Sequence, residues 1–258
     1  MEFYKYQGTG NDFVLIDNRD LKFDRTNNAL IAKLCDRRFG IGADGFMLLQ
    51  QKEGYDFEMV YYNADGNERT MCGNGGRCII EFARSLGLVS DKANFIAIDG
   101  DHEAIVKPGF INLKMNDITN IEMNDDFAFL DTGSPHYVAF IKDVANYNVA
   151  IEGAKIRNND RFKAEGTNVN FVEVGSDRMF VRTFERGVED ETYSCGTGVT
   201  AASIVAAIKN VSTSKTQCDI KTLGGNLTVR FKNNDNKMFD NVWLEGPATF
   251  VYKGEIKI

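Results

Sequence analysis

Cys72-Gly73-Asn74-Gly75 returns 123 residues later as Cys195-Gly196-Thr197-Gly198, and this recurrence decides how the chain is divided. A second pair of landmarks keeps the same spacing. Thr9-Gly10-Asn11-Asp12-Phe13-Val14 and Thr132-Gly133-Ser134-Pro135-His136-Tyr137-Val138 set Gly10 and Gly133 123 residues apart as well. The segments leading to the two cysteines are also alike, Tyr62 to Glu68 before the first and Phe184 to Glu191 before the second. With glycine at 24 of 258 positions, one matching turn has little weight, but two matches in register indicate an internal repeat. The reading is two homologous lobes, residues 1–120 carrying Cys72 and residues 121–258 carrying Cys195.

Working outward from the cysteines, the pattern alternates between strand and helix. Phe57–Tyr62 and Met179–Phe184 are rich in aromatic and β-branched residues, as strands are. Asn94–Gly100 and Gly225–Phe231 alternate in polarity and read as strands with one covered face. After Cys72, the residues Ile79, Phe82, Ala83 and Leu86 recur at helical spacing, and Gly87 supplies a stop. After Cys195, Val199–Ile208 is almost wholly apolar, which predicts a helix buried inside a curved sheet. A third helix is predicted over Thr26–Arg38, with Ile31, Leu34 and Cys35 on one face. The fold class is therefore α+β: two strand-rich lobes, each a curved sheet or barrel around a central helix, with the active site expected in the cleft between them.

Composition excludes several functions. Hydrophobic residues at 43% and charged residues at 26% describe a globular chain rather than a disordered one. The net charge of −7, without a basic run, argues against nucleic acid as a partner. No apolar run is long enough to span a bilayer and the N-terminus has no secretory pattern, so no membrane partner is expected and the chain is read as cytoplasmic. The five cysteines have no paired zinc spacing, and two histidines cannot form an imidazole cluster, so no metal site and no disulfide framework is expected.

Cys72 and Cys195 each stand where a strand passes through glycine into a helix. A thiol at a helix N-terminus is acidified from its ordinary value of about 8.5, which makes it a nucleophile or a proton acceptor. The neighbouring glycines let a ligand approach the backbone closely, and the exposed N–H groups suit a carboxylate. Cys35, Cys78 and Cys218 fall within helical or strand runs and read as packing residues. Gly40-Ile41-Gly42-Ala43-Asp44-Gly45 has neither the lysine of a triphosphate loop nor the spacing of a dinucleotide turn. His136 reads as a structural or hydrogen-bonding residue. Arg186 suits a second carboxylate, while for Arg77 that role and a solvent-facing ion pair are equal alternatives.

Two acidified thiols facing one carbon acid perform inversion. One removes the α-proton as thiolate while the other, as thiol, protonates the opposite face. Reversibility requires each to take either role, which accounts for one residue type occurring twice in one frame. No cofactor is needed, and repulsion between two thiolates leaves one shared proton in the active state.

The whole chain resembles the diaminopimelate epimerase family. The resemblance is carried by Gly8–Phe13, Gly40–Gly45, Asn63-Ala64-Asp65-Gly66, Cys72–Cys78, Gly133-Ser134-Pro135-His136, Asn168-Val169-Asn170, Glu185-Arg186-Gly187 and Cys195–Gly198. It implies cofactor-independent interconversion of LL- and meso-2,6-diaminopimelate, on the route to lysine and peptidoglycan, with Cys72 and Cys195 as the acid and base pair. It also implies that Asn11, Asn63, Asn168, Glu185 and Arg186 hold the small amino-acid substrate. The backbone at Gly73, Asn74, Gly196 and Thr197 is expected to bind the carboxylate at the reacting centre, and the protein to be a homodimer. Ser134 and Gln7 depart from the Asn and His most often found there in the family.

Two other readings compete. A racemase of the same architecture acting on proline, hydroxyproline or histidine has no need for the polar set Asn63, Asn168 and Arg186, which fits a substrate charged at both ends. A non-catalytic amino-acid binder or a cysteine hydrolase is a different class, and hydrolysis is disfavoured because neither thiol has a sequence-linked histidine.

Overall fold

The structure, a computed structural model, describes residues 1–107, 109–212, 214–235 and 238–257. It has two compact units, Met1–Leu113 with Gly246–Ile258, and Lys114–Glu245. The first runs through β1 (Glu2–Gly8), β2 (Asn11–Asp17), α1 (Asn28–Cys35), β3 (Gly45–Gln50), β4 (Phe57–Asn63), β5 (Glu68–Arg69), α2 (Gly73–Ser85), β6 (Lys92–Ala97), β7 (Gly100–Lys107) and β8 (Phe110–Lys114). The second runs through β9 (Ile121–Met123), β10 (Ala128–Asp131), β11 (Pro135–Phe140), a 3-10 turn at Val144–Asn146, and α3 (Val149–Arg157). It continues with β12 (Asn168–Val174), β13 (Met179–Glu185), β14 (Asp190–Thr192), α4 (Gly196–Ile208), β15 (Gln217–Thr222), β16 (Gly225–Asn234) and β17 (Met238–Gly246). The chain then returns to the first unit as β18 (Thr249–Glu255), which pairs antiparallel with β1. The units thus divide at Leu113 and again at Glu245, where the sequence reading sets a single division after residue 120.

Each unit repeats the same strand order. In the first it is β18-β1-β2-β3-β4-β6-β7-β8, with β5 beside β4. In the second it is β9-β10-β11-β12-β13-β15-β16-β17, with β14 beside β13. Parallel pairs fall at equivalent positions, β2/β3 and β4/β6 in one unit, β11/β12 and β13/β15 in the other. A parallel pair needs a crossover too long for a hairpin, and each of the four contains one of the helices α1 to α4. Helices α2 and α4 have 13 residues each and begin 123 residues apart, the spacing of the two cysteines.

Side-chain alternation decides which helix covers which face. In β2 and β3, Val14, Ile16, Phe46 and Leu48 pack with Ile31, Leu34 and Cys35 of α1. Their neighbours Phe13 and Met47 reach toward Gly75 of α2. Strands covered on both faces carry nearly unbroken apolar runs, as Gly45–Gln50 does. In the second unit Val169, Phe171 and Phe184 pack with Val149 of α3, while Asn170 turns to α4. Helix α4 contacts strands β10 to β13, β15 and β16, and its residues Val199–Ala207 are buried. Burying an Ile or Val side chain contributes about 1.5–3 kcal/mol. The two hydroxyls in this apolar stretch are satisfied within the helix, Thr200 donating to Gly196 O at 2.9 Å and Ser203 to Val199 O at 2.8 Å.

Two local readings change. The helix predicted over Thr26–Arg38 is only Asn28–Cys35: the Asn27 side chain accepts the Leu30 N–H, and Asp36 Oδ1 accepts the N–H groups of Arg38 and Phe39 at 2.7 Å, turning the chain away. The strand read over Asn94–Gly100 ends at Ala97, and Gly100 begins the next one.

Candidate active site

Cys72 is the N-cap residue of α2 and Cys195 that of α4, each with extended backbone and no side-chain capping bond. Their carbonyls accept the first helical bonds, from Gly76 N at 2.6 Å and Val199 N at 3.0 Å. The first amides of an α-helix have no partner within the helix, and they carry its positive partial charge. Each sulfur therefore stands at an anion-favouring end. Cys72 is half-buried and Cys195 buried.

In the first unit the turn after Cys72 is held by Arg77, a wholly buried guanidinium. It donates to Gly73 O at 3.2 Å, Asn74 Oδ1 at 2.9 Å, Thr9 Oγ1 at 3.1 Å and Pro247 O at 3.2 Å. Arg77 is therefore neither a solvent-facing ion pair nor extended toward a ligand. Burial pulls its pKa down to about 10, which leaves it cationic at neutral pH. Asn74 Nδ2 in turn donates to Asn11 Oδ1 at 2.6 Å. Asn11 also donates to Asp44 Oδ2 at 3.2 Å, so the Gly40–Gly45 loop buttresses Asn11. Asn63 ends β4 and its Oδ1 accepts from Tyr61 Oη at 2.8 Å. Gly73, Asn74 and Asn11 form one hydrogen-bonded group with Arg77 and Thr9.

In the second unit Cys195 Sγ lies 3.4 Å from Thr197 Oγ1, which lies 3.2 Å from Ser134 Oγ. Ser134 Oγ is 3.0 Å from Nε2 of His136 and accepts from Asn168 Nδ2 at 3.2 Å. Asn168 Oδ1 receives the backbone N–H of Arg186 at 2.9 Å, and Arg186 donates to Glu165 O at 2.9 Å. Glu185 Oε2 accepts from Thr192 Oγ1 at 2.9 Å. Burial, with the charge of Arg186, pushes His136 down to about 3, so its ring is neutral near pH 7. Gly198 is required by close approach, because a Cβ there would collide with Asn170 Oδ1.

Sequence reasoning missed the part played by the threonines. Thr9 Oγ1 bonds to Asn74 Oδ1 at 3.3 Å, and Thr132 Oγ1 donates to Thr197 O at 2.9 Å. Each stands just before a landmark glycine and ties the second residue after its lobe's cysteine, so the matched Thr-Gly pairs were the available signal. The other three cysteines are buried, and burial raises their thiols, Cys35 to about 12, Cys218 to about 11, and Cys78 higher still. Among the described residues no group of three or more His, Cys, Asp or Glu side chains is arranged to hold a metal ion, and no helix is long and apolar enough to cross a membrane.

Comparison with known proteins places the chain by family and by fold. A sequence profile of the family described as diaminopimelate epimerase matches residues 3–115 and 128–251. A diaminopimelate epimerase of Flavobacterium psychrophilum is 51% identical over 258 residues, covering 99% of this chain and 100% of the relative. One of Chlorobaculum tepidum is 42% identical, covering 97% and 99%. Among solved structures, a phenazine biosynthesis protein of the PhzF family from Bacillus anthracis superposes with a TM-score of 0.78 at 15% identity, covering 100% of this chain and 99% of its own, a likeness of fold.

Proposed function

The chain belongs to the diaminopimelate epimerase family, and from that membership we propose that it interconverts LL- and meso-2,6-diaminopimelate by passing protons between Cys72 and Cys195. The observation that carries this reading is that each of these cysteines is the N-cap of a long buried helix, one in each half of a repeated fold. The thiolate of one removes the α-proton, and the thiol of the other delivers its proton to the opposite face. The carbanionic intermediate puts charge onto the substrate carboxylate, where the amides of Gly73, Asn74, Gly196 and Thr197 stabilise it. The buried cation of Arg77 adds to the field at the α2 terminus.

In this mechanism the protein uses no cofactor. Asn11, Asn63, Asn168, Glu185 and Arg186 select a substrate charged at both ends, Asn168 by fixing the backbone of Arg186. The enzyme works in the cytoplasm as a homodimer, supplying lysine and peptidoglycan synthesis.

A substrate panel followed by α-proton exchange in deuterated water tests the assignment. Exchange with diaminopimelate and none with proline, hydroxyproline or histidine is the expected result. Equal exchange with proline overturns the specificity.

A further inference from the structure

The hydrogen bonds around Ser134 fix the direction of the protons as far as Thr197 in a chain that ends at Cys195. Two amide orientations anchor it. Asn170 Nδ2 donates to Tyr137 O at 2.9 Å, and its Oδ1 accepts from Thr183 Oγ1 at 2.9 Å. Because a carbonyl only accepts, Nδ2 is the donor side, and its second hydrogen points to Nδ1 of His136 at 3.0 Å. Nδ1 is therefore an acceptor, and the ring proton lies on Nε2, directed at Ser134 Oγ 3.0 Å away. Asn168 is anchored likewise: Nδ2 donates to Pro135 O at 3.2 Å, and Oδ1 accepts the Arg186 N–H. Its amide also donates to Ser134 Oγ at 3.2 Å.

Ser134 Oγ thus accepts twice, from His136 and Asn168, and its single hydrogen must serve Thr197 Oγ1. Thr197, accepting from Ser134, has its own hydrogen left for Cys195 Sγ at 3.4 Å. We propose that Ser134 and Thr197 are positioning residues that aim a hydroxyl proton at the Cys195 sulfur and so favour its thiolate. A hydrogen bond donated to the charged form of an acid stabilises that form. The neutrality that burial imposes on His136 keeps Nδ1 an acceptor, which the chain requires. The relatively short serine at this position is what lets one oxygen meet both His136 and Thr197. This inference rests on Cys195 being a reacting thiol, which the diaminopimelate exchange assay on the unaltered protein tests separately.

Two measurements test it without relying on turnover. His136 and His102 are the only histidines, so nitrogen NMR of the unaltered protein at neutral pH resolves both rings. The expected ring at His136 is protonated at Nε2 and bare at Nδ1; a proton on Nδ1 overturns the proposal. The ionisation of Cys195 is read as the thiolate absorbance of each protein minus that of its Cys195→Ala counterpart, across pH. Thr197→Val, which keeps the backbone N–H, and Ser134→Ala are expected to shift that ionisation up by about one pH unit. Thr197→Ser is expected to restore it. An unchanged titration in Thr197→Val, or an equal shift in Thr197→Ser, overturns the proposal, and this pair decides even if Ser134→Ala fails to fold.

Discussion

The guanidinium of Arg77 is wholly buried and donates to Asn74 Oδ1 at 2.9 Å, so a full positive charge braces the turn that follows Cys72. Replacing it removes the guanidinium donor from acceptors at Gly73, Thr9 and Pro247 and leaves Asn74 Oδ1 with Thr9 Oγ1. Arg77→Met is expected to lose at least about 2 kcal/mol of stability, read by denaturant unfolding. Its KM for diaminopimelate should rise by more than its kcat falls, because the carboxylate nest proposed at Gly73 and Asn74 would lose both shape and charge. An unchanged KM in a folded variant contradicts this role.

His136 makes acid stability a test of its burial. Its folded pKa of about 3 lies below the ordinary 6.5, so between these values the unfolded chain binds the extra proton. The stabilisation is fully present above the ordinary value and declines as pH falls toward the folded one. The contribution to the unfolding free energy should drop by up to about 1.4 kcal/mol per pH unit across that window. His136→Gln removes this component, so the difference between its pH–stability curve and that of the unaltered protein should show the slope. Parallel curves mean that the histidine titrates normally.

The two N-cap cysteines should behave unlike the others. Cys72→Ala and Cys195→Ala are each expected to lower turnover by about 10²–10⁴-fold or more with the fold retained, measured by circular dichroism and polarimetry. Cys78→Ala, although it follows Cys72 by only six residues, removes a buried packing thiol and should retain catalysis at a cost of about 1 kcal/mol in stability. Full activity in either N-cap variant removes the thiol pair from the mechanism.

Oxidation offers a geometric test of the proposed shared site. Mild oxidant should link Cys72 to Cys195 in a disulfide detectable by peptide mass spectrometry, with activity lost and then recovered on reduction. Reversible inactivation without that crosslink counts against two sulfurs meeting at one carbon.

What the sequence discloses follows from the range of the interactions involved. The helices after Cys72 and Cys195 are legible because their signals are local: a glycine turn, then apolar residues at helical spacing or an apolar run. Helix α3 escapes notice because only Val149 and Gly153 of Val149–Arg157 are buried, and Gly153 is small in order to admit the side chain of Phe184. The return of β18 to β1 joins opposite ends of the chain, and no short-range pattern announces it. At the site, the repeated Cys-Gly frame marks the thiols. The partners of Arg77 extend from Thr9 to Pro247, and the Asn170–His136–Ser134–Thr197 chain depends on two strands and a helix end meeting, so neither is visible before folding.

The central claim is that two different monoprotic thiols handle the proton on opposite faces of one carbon. The measurement that addresses it most directly is the early time course from LL-diaminopimelate in deuterated water, with isotope content determined separately in the remaining substrate and in the meso product. Nearly all product molecules are expected to carry one solvent deuterium at the inverted carbon while the remaining substrate carries none. Product that keeps the original proton, or deuterium appearing equally in both pools, contradicts a two-thiol mechanism.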